Sequence, residues 1–469
     1  MSAVRLTVGW LARAVAGRIV SGDPDRVVGN VVTDSRTVEP DDFFVALRGP
    51  RFDGRAFVGE AIGVRGASGA LVSIADDGRE SGVAGAAIVE VDDTTRALQD
   101  LARAVRAAAG TKVVAITGSA GKTTTKEAIA DFLSTRLVVV KNKGNLNNHI
   151  GLPLSLLQLR DGPDVAVMEL GMNHAGEIST LVAIADPDVR VWTNVGDAHL
   201  GHFASSDAIA DAKAEILEGA ESEDLLVCNA DDPRVMSRVG RFAGRTVTFG
   251  GHPGAIVRAR DIEDRGIDGT RARVTTPAGE VALETPLIGR GNFLNVLAAT
   301  TVALDFGIPL STVAARATEL RPADRRGVVR RLRAGVTLVD DSYNSSPSAL
   351  RNALDVIRHE SSASRRVAVL GEMLELGAHA DALHEDCGRL AATVGLGLLF
   401  VVGGEPARAL ARAAVVAGMS PASVTWTDTS EAAAPIVAAA VRSGDLVLIK
   451  GSRGTRCDVV ADRISAEFA

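Results

Sequence analysis

The sequence predicts an α/β protein of three domains. Strand-length apolar runs alternate with helical segments from Lys112 onward, and again beyond Gly327. Such alternation builds mostly parallel sheets covered by helices, whose strands are buried on both faces and read as continuous apolar runs. The chain has 469 residues. At ~150 residues per domain that leaves room for about three.

Composition narrows the class. Hydrophobic residues make up 46% and charged residues 23%, which excludes disorder as the main state. The formal net charge is −7, so the basic footprint of a nucleic-acid binder is missing. Three cysteines, Cys228, Cys387 and Cys457, stand far apart, which excludes a disulfide scaffold and a Cys-rich zinc site. No run of about 18 apolar residues is present, so no transmembrane helix is expected. The opening stretch MSAVRLTVGWLARAVAGRIV carries charges inside its apolar run. It reads as an amphipathic helix and a strand rather than a signal peptide, and the cytoplasm is the expected location.

Residues 1–93 hold four short β signals, Val27–Thr33, Phe43–Leu47, Gly69–Ser73 and Ala87–Val91, parted by Gly, Asp and Pro. They predict a small α/β domain. Residues 94–110 (TTRALQDLARAVRAAAG) follow as a helix with a threonine cap candidate and a closing glycine. The next runs, VVAIT, LVVVK, DVAVMEL, DVRVWTNV and LLVCNA, predict buried parallel strands. The polar stretch 255–286 contains TTPAGE, a hairpin turn, and Asn292–Phe306 is helical. RPADRRG at 321–327 breaks the pattern and marks a boundary. VTLVDD, RRVAVLG, GLLFVVG, SVTWT and DLVLIKG then predict a second doubly wound sheet. The expected domains are 1–109, 110–322 and 323–469.

The sharpest chemical signal is VVAITGSAGKTTTKEAIADFL, residues 113–133. An apolar strand runs into Gly118-Ser119-Ala120-Gly121-Lys122-Thr123 and then a helix. Glycines expose backbone N–H groups and a helix N-terminus adds partial positive charge, the makings of a phosphate cradle. Lys122 is placed to reach outer phosphates, and the Thr123 hydroxyl to hold Mg²⁺. The loop is shorter than the usual GxxxxGK[ST], with Ile116 where the first glycine would fall.

Four further segments carry weaker signals. Glu169 ends the strand DVAVMEL, a place for a Mg²⁺ ligand and equally for a helix cap. His199 follows another strand in NVGDAH; with His202 it lacks the further ligands of a zinc site, and a place beside Mg²⁺–phosphate suits it better. Lys213 lies in the helical stretch 206–219, where its residue type alone favours a solvated surface position. In VTLVDDSYNSSPSAL, residues 336–350, Asp340 and Asp341 end a strand ahead of a helix start at Pro347. Two polar loops complete the set. KNKGNLNNHIGLP, residues 141–153, suits hydrogen bonding to a polar ligand, and DSRTVEPDDFFVALRGPRFDGRAF, residues 34–57, is otherwise ordinary turn chemistry.

Together these motifs resemble the Mur ligase family over nearly the whole chain. The matching segments are DSR…FVAL.G..FDG from Asp34 to Gly54, TG..GKTTTKE at Thr117–Glu127, and GN.NN.IG.P at Gly144–Pro153. MELGM...GEI falls at Met168–Ile178, N.GDAHL at Asn194–Leu200, DDSYN..P at Asp340–Pro347, and LGEM.ELG at Leu370–Gly377. The DSYN and GNLNN segments resemble the members that join D-alanyl-D-alanine to a UDP-N-acetylmuramoyl-tripeptide. The resemblance implies a UDP-binding first domain, a central P-loop-type ATPase domain and a C-terminal Rossmann-like domain.

Residue roles follow from the same resemblance. Gly118, Ser119, Ala120, Gly121, Lys122, Thr123 and Thr124 match the phosphate loop for ATP. Thr123 and Glu169 match ligands of a first Mg²⁺, and His199 a ligand of a second. Lys213 matches the family's carbamylated lysine. Asn292 and Asn295 match the adenine-binding segment, although the family commonly has His where Gly291 stands. Arg326, with Arg325 adjacent, and Asp341 match third-domain residues that close over ATP. Ser35 and Arg36 match the uridine-nucleotide loop, and Asn145, Asn147 and Asn148 the muramoyl-substrate loop. Tyr343, the only tyrosine in the chain, and Asn344 are further candidates for substrate contact. The implied reaction passes through an acyl phosphate. A monomer is expected, and the third residue of the tripeptide is left open between diaminopimelate and lysine.

Overall fold

The computed structural model describes residues 3–49, 52–74, 85–197, 200–360 and 363–469. Among them, three main sheets follow one another along the chain. The first has five strands in the order Arg18–Ser21, Ala87–Val91, Gly69–Ser73, Phe43–Val45, Val31–Val32, parallel except for the Arg18–Ser21 edge. The opening residues form the helix Val8–Ala14, capped by the Thr7 hydroxyl, ahead of that edge strand. The β signal at Val27–Thr33 shortens to Val31–Val32, while Val27 makes only a lone bridge to Thr7.

The helix Thr94–Ala109 ends at the expected glycine, but its N-terminal cap is Asp93 rather than the expected threonine. The Asp93 carboxylate accepts the N–H groups of Thr95 and Arg96, and Gly110 closes it in the left-handed conformation. Its buried stripe of Ala97, Leu98, Leu101, Ala102 and Val105 recurs at helical spacing. It packs against the helices Gly151–Leu156 and Glu177–Ala185 beside the second sheet.

That second sheet has nine strands. Lys112–Thr117 lies inside it, between Val165–Glu169 and Val189–Trp192. Beyond these come Val139–Lys141 on one side, and Leu225–Asn229, Arg245–Gly250 and Val257–Asp264 on the other, all parallel. The hairpin Thr270–Thr276/Gly279–Thr285 turns at the expected TTPAGE and adds two antiparallel strands. Val113, Val114, Ala115 and Ile116 are fully buried, so the continuous apolar reading reflects helices on both faces.

The third sheet has six strands in the order Val328–Arg331, Thr337–Asp341, Asp445–Lys450, Arg365–Gly371, Leu398–Val402, Val424–Thr427, parallel except at the first. In the second and third sheets the carboxyl ends of the parallel strands carry the loops that face a shared cavity. Among the described residues, no helix is long and apolar enough to cross a membrane.

Candidate active site

The strand Lys112–Thr117 delivers Gly118–Gly121 to the helix Lys122–Leu133. Gly118 has φ +152°, and a Cβ there would run into Thr193 Oγ1; Gly121 has φ +83°, and a Cβ would run into the Asn295 amide. No L side chain fits either place. The neighbouring strand end holds the loop still. Asn194 accepts the N–H of Ser119 on its carbonyl at 3.0 Å and that of Ala120 on its side chain at 2.9 Å. The Thr193 hydroxyl donates to the Ala120 carbonyl at 2.8 Å. Asn194 opens the N.GDAHL segment but was given no role of its own, and Thr193 was not singled out by motif.

The first intrahelical bond runs from the Thr125 N–H to the Gly121 carbonyl at 2.9 Å. The N–H groups of Lys122, Thr123 and Thr124 therefore have no acceptor within the helix, and its aligned dipoles favour an anion in front of them. Lys122 folds back over the loop and donates to the Gly118 carbonyl at 2.7 Å. Desolvation pushes its ammonium below the usual lysine range, Glu169 draws it back up, and Arg326 opposes that.

Glu169 is 4% exposed and gathers three chain segments. Its Oε2 accepts the Thr123 hydroxyl at 2.7 Å and its Oε1 the Asn147 amide at 2.8 Å. Asn142 fixes the Glu169 backbone from both sides: its Oδ1 accepts the Glu169 N–H at 3.0 Å and its Nδ2 donates to the Glu169 carbonyl at 3.1 Å. The helix-cap alternative for Glu169 finds no support, since the carboxylate serves side chains. Oxygen donors this close suit a hard divalent cation, so Thr123 and Glu169 fit a Mg²⁺. Asn148 caps the helix Gly151–Leu156, accepting the Gly151 N–H at 2.8 Å. Asn145 lines the cavity in the same loop.

The cavity has a volume of about 1030 Å³. One wall consists of Ser119–Thr124, Asn145, Asn147, Asn148, Glu169, Asn292 and Asn295. The opposite wall, from the third sheet, brings Arg326, Asp341, Tyr343 and Asn344. Arg325 is engaged elsewhere, with Asp462 at 3.0 Å and the buried Asp340 at 3.5 Å. Arg326 makes no ion pair with a described residue, and its guanidinium stands 4.0 Å from the centre of the Tyr343 ring. Asp341 pairs with Lys450 at 2.6 Å. Lys450 is 3% exposed and closes the strand DLVLIK, a strand-end position that sequence reasoning passed over.

Several expected site residues lie apart. Gly118 shapes the loop from behind without lining the cavity. Ser35 and Arg36 are in the first domain, away from it; Arg36 clasps the Asp34 carboxylate through two N–H groups at 2.9 and 2.6 Å and holds its pKa down at about 2. His199 lies outside the described residues. Lys213 does not line the cavity, yet the expectation of a solvated surface position is wrong. It is 1% exposed, on the helix Ser206–Ala214. No described residue accepts a hydrogen bond from its amine, whereas the equally buried Lys126 donates to the Asn142 carbonyl at 2.8 Å. Burial holds the Lys213 amine well below the lysine range, and the charge of Lys122 adds to that.

Comparison with known proteins bears on the whole chain. Residues 27–106 match the model of the Mur ligase family catalytic domain, 116–303 the Mur ligase middle domain, and 325–453 the Mur ligase glutamate ligase domain. The UDP-N-acetylmuramoyl-tripeptide–D-alanyl-D-alanine ligase of Bacillus subtilis (strain 168) is 31% identical, over 99% of this chain and 100% of its own. A crystal structure of MurF from Acinetobacter baumannii superposes with a TM-score of 0.88 at 30% identity, covering 99% of this chain and 100% of its own. MurF ligase from Thermotoga maritima in complex with ADP superposes at 0.80 with 31% identity, covering 94% and 97%.

Proposed function

The chain belongs to the Mur ligase family, and from that premise we propose that it joins D-alanyl-D-alanine to UDP-N-acetylmuramoyl-tripeptide at the expense of ATP. The product is the pentapeptide precursor of peptidoglycan, with ADP and phosphate released. The observation that carries this reading is the meeting of Thr123, Asn147 and Glu169, because it joins the phosphate loop to the asparagine loop at one carboxylate.

A carboxylate is a poor acyl donor, since it would have to expel oxide. Attack of the tripeptide carboxylate on the terminal phosphorus of ATP gives an acyl phosphate and ADP. The amine of D-alanyl-D-alanine then adds to the acyl carbon, and the tetrahedral intermediate collapses by expelling phosphate. The free N–H groups of Lys122, Thr123 and Thr124 receive the phosphates, and Lys122 balances charge as it builds on the transferring group. Thr123 and Glu169 would hold a first Mg²⁺ and, by family resemblance, His199 a second, and the ions would neutralise phosphate charge. Asn292 and Asn295 take the adenine side. Arg326 and Asp341 approach ATP from the third domain. Asn145, Asn147 and Asn148, with Tyr343 and Asn344, contact the peptide-bearing substrates. Ser35 and Arg36 meet the uridine nucleotide.

Lys213 is proposed to work as a carbamate. A buried amine with no acceptor among the described residues and a cation nearby is held neutral, and a neutral amine adds CO₂ with loss of one proton. The carbamate so formed carries the negative charge that a cation cluster draws in. The proposed domain division, 1–109, 110–322 and 323–469, leaves each of the three sheets within one unit. We propose a cytoplasmic monomer, in the compartment where ATP is available.

The test is a mass-resolved product assay with purified protein, ATP, D-alanyl-D-alanine and tripeptide nucleotides ending in diaminopimelate or in lysine. A product heavier than the donor by the dipeptide less water is expected with one donor or both. ADP release without that product, or no ADP release with either donor, overturns the reading.

A further inference from the structure

The third-domain wall of the cavity includes the segment 374–376, and how that segment is held has a specific cause. His384, on the helix Ala380–Thr393, is fully buried. Its Nδ1 lies 2.7 Å from the Ala380 carbonyl, which can only accept, so Nδ1 carries the hydrogen. Its Nε2 is then a bare acceptor and takes the Met373 N–H at 2.9 Å. The next N–H, of Leu374, goes to Ser452 Oγ at 2.9 Å. The next residue, Glu375, adopts φ +65°, and its carbonyl accepts the Gly201 N–H of the central domain at 2.8 Å. Three successive residues are thus tied to three different parts of the molecule, and the first tie belongs to an imidazole that touches nothing in the cavity.

The face so held is chemically distinct. It presents the exposed Leu374, with the buried Leu376 behind it and Glu375 between them, on the same wall as Arg453, whose guanidinium makes no ion pair with a described residue. D-Alanyl-D-alanine carries methyl groups and a carboxylate, which suit the apolar Leu374 edge and the Arg453 guanidinium. The phosphate loop, by contrast, stands on the central domain across the cavity. We propose that His384 is a positioning residue for the dipeptide: its neutral Nδ1–H form fixes the Met373 amide, and through it the Leu374–Leu376 face, in the arrangement that accepts D-alanyl-D-alanine. This rests on the ligase reading above.

The experiment compares His384→Leu, which keeps the bulk and loses the acceptor, with His384→Gln, whose amide oxygen can take the same N–H. His384→Leu is expected to lower kcat/KM for D-alanyl-D-alanine about tenfold or more, with KM for ATP within about twofold of the parent and His384→Gln recovering most of the loss. Equal constants for both variants and the parent, or equal losses for both substrates with no recovery by glutamine, overturn it. Should His384→Leu fail to fold, the His384 ring of the unaltered protein decides by ¹⁵N NMR at neutral pH. An Nδ1–H tautomer with a bonded Nε2 supports the proposal, and an imidazolium or an Nε2–H tautomer overturns it. The NMR result does not depend on turnover, so it separates failure of this inference from failure of the ligase reading.

Discussion

Thr123, in the first turn of the helix Lys122–Leu133, and Glu169, at the end of the strand Val165–Glu169, meet hydroxyl to carboxylate at 2.7 Å, at the mouth of the phosphate loop. The threonine opens the helix that follows the loop, and the glutamate ends the adjacent strand. A Mg²⁺ at this point would take its position relative to the phosphates from a single acidic side chain.

Replacing that acid tests the arrangement. In Glu169→Gln the amide oxygen can take the Asn147 N–H and the NH₂ can donate to the Thr123 hydroxyl, but both bonds lose their charge, so we expect stability to fall by about 1 kcal/mol. Turnover should fall at least about 100-fold and need more Mg²⁺ for half-maximal rate. Steady-state rates over a Mg²⁺ titration, with urea unfolding alongside, check both. An unchanged Mg²⁺ requirement would remove Glu169 from the metal site.

Lys122→Ala separates chemistry from folding. Among the described residues, the bond lost is that to the Gly118 carbonyl, which leaves the loop anchored by Thr193 and Asn194. We expect a transition-state loss of roughly 3 kcal/mol or more, and a thermal midpoint close to the parent. Turnover near the parent value in a folded variant would end the phosphate-loop assignment.

The carbamate at Lys213 predicts a chemical rescue. Lys213→Ala should lose at least about 100-fold in rate while staying folded, and a small carboxylate such as acetate should restore part of it. In the unaltered protein, ¹³C-bicarbonate should give a carbamate resonance that is absent from the variant. Near-normal activity with no response to acetate would show an ordinary buried lysine.

His384 also predicts a pH dependence of stability. Burial holds its imidazole below the usual histidine range, against the Ala380 carbonyl and the carboxylates of Glu372 and Asp381, which pull the other way. As pH falls through about 6.5, the unfolded chain takes up the proton first. The stabilisation is therefore complete above that value and shrinks toward the lower folded pKa, by at most about 1.4 kcal/mol per pH unit. Urea unfolding between pH 5 and 8 should show a steeper acid-side loss in the parent than in His384→Gln. Parallel curves would mean that the ring is not buried in its neutral form.

Much of this was legible in the chain because its signals are local. The buried strands show as apolar runs, the helix Thr94–Ala109 ends at its expected glycine, and the loop at Gly118–Thr123 is contiguous. What escaped depends on contacts between distant segments. Lys213 reads as a surface residue because a helix of mixed composition does not reveal which face packs inward; only the fold puts it at 1% exposure. Lys450 is 109 positions from the Asp341 it pairs with, and Asn142 grips Glu169 across 27. The choice between Arg325 and Arg326 turns on Asp462, a residue on the last helix.

The carbonyl of Glu375 receives Gly201 at a point where the two domains come nearly backbone to backbone. A Cβ on Gly201 would lie 2.7 Å from the Gly377 nitrogen, and one on Gly377 would lie 2.8 Å from the Gly201 Cα. Neither glycine lines the cavity. The pair works as a doorstop of minimum thickness. A methyl group at Gly201 is a shim, propping the third domain ajar by its own width while leaving every substrate-facing side chain unchanged. The spacing of the two domains can thus be altered at a position apart from the chemistry, and a graded series of side chains at Gly201 would set how wide that spacing becomes.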